Sequence, residues 1–317
     1  MNTFSEYRPK SKLPFFAAGV FALTLVAILL RTLCLFSFYD VNIGYFSSGA
    51  ALPVAMNVFA VIAFVGIAAA SFFVSKETYA ATGCEKNPFI KISSAVCVLG
   101  FLYPIYVVIR NILSVPGLII PTSTLIFMVV FFISAVYFAV NLLSKQFKYQ
   151  AVLAIAVILS AGYFLANSYF DLYTPMNNPN KISLHIACVS VMIFMACEAR
   201  CLINESKKRF YVFALASAVF FSGFSSVPAF IAFLSGKLDY NYFVFDCVVL
   251  TLFIYLSARF ISLIITKERV AEELSEGTAD DSADSADTVI ENTDTDNTEE
   301  TENISESSED TAPVNDQ

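Results

Sequence analysis

The stretch RPKSKLPFFAAGVFALTLVAILL, Arg8 to Leu30, decides how this chain folds. Arg8, Lys10 and Lys12 stand before an apolar run that lasts from Leu13 to Leu30. That run is longer than the apolar segment of a secretory signal, and no small-x-small cleavage pattern follows it. It is expected to remain as a membrane-spanning helix. A hydrocarbon core about 30 Å thick takes roughly 20 apolar residues as a helix. Runs of this kind recur along the chain, and spans are expected near residues 13–36, 49–74, 92–109, 117–143, 150–169, 182–203, 210–234 and 241–265. Backbone in lipid must bond to itself, and no ten-residue alternation of the sort that builds a barrel is present. The fold class is therefore read as all-α: a polytopic bundle of about eight transmembrane helices with the lipid bilayer as its first partner.

Composition supports this, with 57% hydrophobic residues, 32 phenylalanines and a mean hydropathy of +0.68. Soluble domains hold about 45–50% apolar residues. The net charge of −8 averages two opposite regions: residues 1–267 carry 9 acidic and 18 basic side chains, and residues 268–317 carry 18 acidic and one basic. Three regions follow: a basic N-terminus (1–12), the membrane domain (13–267) and an acidic tail (268–317).

Positive charge resists translocation, so it orients the chain. With the N-terminus inside, thirteen of the nineteen Lys and Arg fall in cytoplasmic segments and three, Arg110, Lys181 and Lys237, fall outside. The reading places the chain in the cytoplasmic membrane with both termini cytoplasmic. The tail is rich in Asp, Glu, Ser, Thr and Asn and has no aromatic residue. Such composition cannot bury enough apolar surface to order itself, so disorder is expected. Its partner is expected to be a basic cytoplasmic protein or the chain's own basic inner loops, unless it merely solubilises. Nucleic acid is not an expected partner.

Ionisable groups inside spans are costly in lipid and are therefore candidates for function. Arg31 and Arg200 lie near span ends and are read as snorkelling to headgroups. Glu198 and Arg259 both lie on the inner side of their spans, where pairing offsets two desolvation costs. A Glu198–Arg259 ion pair is expected, as a helix-locking bridge ahead of a relay. On the outer side Asp40, Asp171, His185 and Asp246 form a candidate polar cluster, joined by Asn177 and Asn180 of the loop Thr174-Pro175-Met176-Asn177-Asn178-Pro179-Asn180-Lys181. Asn180 is read as the N-cap of helix six. Ala214, Ala218, Ser222 and Ser226 place a small residue at every fourth position of helix seven, a packing seam. Pro104, Pro121 and Pro228 lie in or near spans, where they kink or break a helix.

Seven scattered cysteines, mostly in apolar runs, do not form a disulfide framework and are read as packing residues. The Walker, dinucleotide, zinc-protease and nucleophile-elbow patterns do not occur in the sequence. No cofactor and no metal site are expected. A short duplication links Ser37-Phe38-Tyr39-Asp40 with Ser168-Tyr169-Phe170-Asp171, and Phe138–Lys145 with Phe260–Lys267. Two parallel four-helix repeats would explain both matches. So would aromatic belts and Lys-ended helices, which recur in membrane proteins.

The stretch from Phe170-Asp171 through Pro175-Met176-Asn177 and Asn178-Pro179-Asn180-Lys181 to Glu198-Ala199-Arg200 resembles a pattern in uncharacterised multi-pass proteins of low-GC Gram-positive bacteria. That resemblance implies a bacterial cytoplasmic membrane and a shared site around Asp171, Asn177, Asn180 and Glu198. It transfers no activity. The leading functional expectation is a non-catalytic membrane scaffold or sensor with an acidic recruitment tail, which leans away from an enzyme. A secondary transporter is the alternative, and an intramembrane enzyme acting on lipid headgroups the second. A midplane cavity would mark the transporter, an interfacial cleft the enzyme, and a sealed bundle the scaffold.

Overall fold

The computed structural model describes residues 12–41, 43–74, 87–114, 121–143, 149–171, 175, 177–203, 208–238 and 240–280. Helical residues 208–209, 240–242 and 266–280 are described by their backbone alone. The basic N-terminus up to residue 11, most of the basic inner-loop residues and acidic residues 281–317 lie outside the described residues.

Eight helices among the described residues, each long and apolar enough to cross a membrane, define an α-helical multi-pass membrane protein. They are α1 (Leu13–Ser37), α2 (Ala51–Val74), α3 (Pro88–Ser114), α4 (Thr122–Leu142), α5 (Gln150–Phe170), α6 (Pro179–Leu202), α7 (Lys208–Leu234) and α8 (Tyr240–Asp280). Several boundaries differ from the sequence expectation, each for a local reason. α2 starts at Ala51 because Gly49 holds a φ of +82°, outside helical backbone. α4 starts at Thr122 because Pro121 is extended, with ψ at 143°. α3 extends at both ends, and α8 runs on as helix to Asp280, so the first part of the acidic segment is helical. Between α1 and α2 a two-residue hairpin pairs β1 (Tyr39–Asp40) with β2 (Tyr45–Phe46), Tyr39 opposite Phe46 and Asp40 opposite Tyr45. Gly44 turns it at a φ of +75°.

α8 touches six of the other helices. Its Phe260 packs on Phe16 and Phe21 of α1, and its Thr251 carbonyl accepts from Cys97 Sγ of α3 at 3.2 Å. Tyr255 meets Phe138 of α4, Phe245 meets Phe164 of α5, Arg259 meets Glu198 of α6, and Phe243 stacks on Phe233 of α7. In the order α3, α4, α5, α6, α7 and α1 each of these helices packs on the next, with α2 against α1 and α7.

Two glycines set how close α8 comes to its neighbours. A Cβ on Gly100 of α3 would lie 2.2 Å from Thr251 Oγ1. On Gly223 of α7 it would lie 2.8 Å from both the Phe253 ring of α8 and Thr24 Cγ2 of α1. Lipid tails are as apolar as leucine side chains, so close packing of this kind holds membrane helices together in place of a hydrophobic driving force. Pro104 and Pro228 lie inside α3 and α7, and both helices continue through them.

The four-helix halves are not packed alike. α8 touches six other helices, and α4 packs mainly on α3 and α5. α1 packs along α7, and α3 shares no comparable seam with α5.

Candidate functional site

Charged side chains gather at two levels of the bundle. The first level belongs to the end where α1 begins. On α6 the residues Leu184, Ala187, Val191, Phe194, Met195 and Glu198 fall on one buried stripe, which turns Glu198 inward with 3% of its surface exposed. Arg259 Nη2 of α8 contacts Glu198 Oε1, and Tyr211 of α7 donates its hydroxyl to Glu198 Oε2 at 2.7 Å. Arg259 Nε donates back to that same hydroxyl at 3.4 Å. One turn from Arg259, the Tyr255 hydroxyl accepts from Asn141 Nδ2 of α4 at 3.5 Å, and Asn141 Oδ1 accepts from Gln150 of α5. The Tyr137 hydroxyl is fully buried in the field of Glu198 and Arg259, beside Asn141 and Tyr255. Five helices therefore meet in one polar cluster.

The second level lies at the end that carries the β-hairpin, and its centre was read differently from sequence. Arg31 does not snorkel; it is 2% exposed. The cause is its phase on α1, where Leu13, Ala17, Val20, Thr24, Ala27, Arg31 and Cys34 form the buried stripe. Spacing of three and four residues through small side chains was the available signal, and distance from the span end hid it. Arg31 Nη2 donates to Asn180 Oδ1 at 2.9 Å and to the Pro179 carbonyl at 3.5 Å. Its guanidinium carbon lies 4.7 Å from the centre of the Phe224 ring. Its Nε is buried with no partner among the described residues.

Asp246 of α8 acts on Arg31 through space, yet the two make no ion pair. It is 6% exposed, and no described residue donates a hydrogen bond to it. Asn178, not Asn180, is the N-cap of α6. Its side chain accepts from Asn180 N at 2.8 Å, and Pro179 takes the first helical position, where a missing N–H costs nothing. Asn178 Nδ2 also donates to the Tyr39 hydroxyl at 3.3 Å, which seats the hairpin on the start of α6.

The other residues of the expected outer cluster lie on α5, β1, the stretch before α6 and α6 itself. Asp171 closes α5, and its carbonyl accepts from the buried Lys181 Nζ at 3.1 Å. Asp40 is half-buried in β1, and Asn177 is exposed. His185 lies one turn beyond Lys181 with its Nε2 buried and unpartnered among the described residues. No three His, Cys, Asp or Glu among the described residues are placed to hold a metal ion. At this end the buried cation Arg31 has Asn180 bonded to it and Asp246 acting on it through space.

Between the two levels α7 is packed almost throughout. Ala214, Ala218, Ser222 and Ser226 are all buried, and Ser226 Oγ returns to the Ser222 carbonyl at 2.7 Å. Small side chains that bond to their own helix let neighbouring backbones approach. At mid-span a cavity of about 10 Å³ lies between α3, α5, α6 and α8, lined by Phe101, Val157, Ser160, Phe164 and Cys188 among others. That volume is roughly what one water needs. Cys34, Cys97 and Cys188 are free and buried. Comparison with known proteins finds no matching family model, no matching curated protein and no matching solved structure.

Proposed function

We propose that the protein is a non-catalytic membrane scaffold or sensor that lies in the cytoplasmic membrane with both ends inside and offers its acidic C-terminal segment to a basic partner. The observation that carries this reading is the state of Glu198. One of its oxygens is taken by Arg259 and the other by the Tyr211 hydroxyl. A carboxylate engaged on both oxygens inside a packed bundle ties helices together; a relay needs an oxygen open to the next carrier. The buried seam of α7 favours a rigid body over a solute path. The acidic segment starts within α8, the helix that also carries Asp246 and Arg259, so the recruiting end and both charge levels share one element.

Native mass spectrometry of the full chain, released from its own membrane in mild detergent, tests this against a chain ending at Lys267. The expected result is a basic protein that co-purifies with the full chain and is lost from the shorter one. A partner retained equally by both, or solute flux through the full chain in proteoliposomes, overturns the proposal. Flux would favour the transporter.

A further inference from the structure

The open face of α2 carries a polar group that lipid does not satisfy. α2 packs on α1 and α7. Of its most apolar window 28% is buried, against 72% for α7. Val54, Asn57, Val61 and Val65 follow at spacings of three and four residues, which puts them on one stripe of the helix. All four are exposed, the valines at 63%, 63% and 59%.

Valine needs no partner in hydrocarbon, but a carboxamide does. Asn57 makes no hydrogen bond among the described residues. It lies six residues after α2 begins at Ala51, roughly 9 Å along the helix axis. The 24 residues of α2 span roughly 36 Å, which leaves roughly 3 Å of helix outside each face of a hydrocarbon core about 30 Å thick. Asn57 therefore sits roughly 6 Å inside the lipid, too deep for so short a side chain to reach headgroups. The other exposed asparagines within described helices, Asn111 of α3 and Asn167 of α5, lie three residues from a helix end.

We infer that this stripe of α2 is the contact between two copies of the chain, packed about a two-fold axis normal to the membrane, with Asn57 of each copy hydrogen-bonded to Asn57 of the other. Two arguments select a second copy as the occupant. A carboxamide carries both donors and an acceptor, so it is its own complement across a two-fold axis. Two copies also insert in the same sense, which brings Asn57 to Asn57 at one depth, whereas a different protein would need a polar group at that same depth. The valines suit the contact, because β-branched side chains hold one rotamer in a helix and lose little freedom when packed. The inference is independent of what the acidic segment recruits.

Single-molecule photobleaching tests this on the full chain, with one dye at the C-terminus, in liposomes of phosphatidylglycerol and phosphatidylethanolamine over a series of lipid dilutions. Two bleaching steps that give way to one on dilution are expected. Asn57→Val should move that transition to protein densities about three- to thirtyfold higher, as for the loss of an interhelical hydrogen bond. Asn57→Gln, which keeps the amide, should move it less. Val61→Trp should disrupt pairing as well, and Val129→Trp, on the exposed face of α4, should not. Each of these side chains is exposed, so none of the changes removes a buried contact. One step at every density overturns the inference and leaves Asn57 to water or to a different protein. Pairing that withstands both Asn57→Val and Val61→Trp overturns it too, because the copies then meet on another surface.

Discussion

Both charged levels of this bundle hold an arginine and a carboxylate, and at both α8 supplies one member. Glu198 and Arg259 meet directly, with Tyr211 bonded to each of them. Arg31 and Asp246 are buried too, at 2% and 6% exposure, and form no ion pair among the described residues. Two causes separate them. Asn180 and the Pro179 carbonyl draw Arg31 towards the start of α6, where it also lies over Phe224. Asp246 is also one methylene shorter than Glu198, so its carboxylate stays closer to α8. Burial alone therefore does not define a pair; the third partner decides whether two opposite charges close.

Breaking the closed pair should have the largest effect. Arg259→Ala leaves Glu198 buried without its cation, a loss of about 3–5 kcal/mol for the truncation of one partner. Thermal unfolding in mild detergent should show a drop of that order or failure to accumulate in the membrane. The double reversal of Glu198→Arg with Arg259→Glu should recover part of what each single reversal loses. No recovery would mean that the pair is a bystander of the packing.

The height of α8, and with it the geometry of both levels, depends on its contact with α3. Gly100→Ala puts a methyl group onto Thr251 and should cost about 1–3 kcal/mol by overpacking. Gly162→Ala is the control, because there the added carbon meets only Met192 at 3.9 Å, an ordinary contact. Equal losses at the two glycines would show that the α3–α8 approach does not position the charges. A smaller effect is expected from Asn178→Ala, which removes the cap of α6 and the bond to Tyr39, at about 1 kcal/mol. It should loosen the hairpin end alone, so hydrogen exchange should rise in the first turn of α6 and stay unchanged around Glu198.

How far this was legible depends on which physical signal each feature leaves in sequence. Span number follows from hydropathy, which the bilayer imposes on every helix. Glu198 and Arg259 share a depth that can be counted along their spans, and in the structure their side chains meet. Arg31 was misread because the same counting places it near a headgroup, whereas the face it occupies with Ala17, Thr24 and Ala27 turns it inward. Asn178 was passed over for Asn180, although Pro179 marks the first helical residue and so places the cap one position earlier. The contact of α8 with six other helices leaves no such mark: lipid and a neighbouring helix both select apolar residues, so composition does not tell a surrounded helix from an edge one.

The smallest expected effect is the one that separates the two pairs most sharply. Asp246→Asn keeps the shape of the side chain and removes a buried charge that no described residue bonds. Removal of that charge ends its desolvation cost and also its attraction to Arg31, and these terms oppose each other. The net change in stability should lie within about 1 kcal/mol of zero. Glu198→Gln makes the same chemical change where both oxygens are engaged, and hydrogen bonds to charged groups are worth about 1.5–3 kcal/mol each. Thermal unfolding of the two variants side by side should therefore give a clear loss at Glu198 and almost none at Asp246. A loss of equal size at Asp246 would mean that Arg31 and Asp246 close on each other in the membrane.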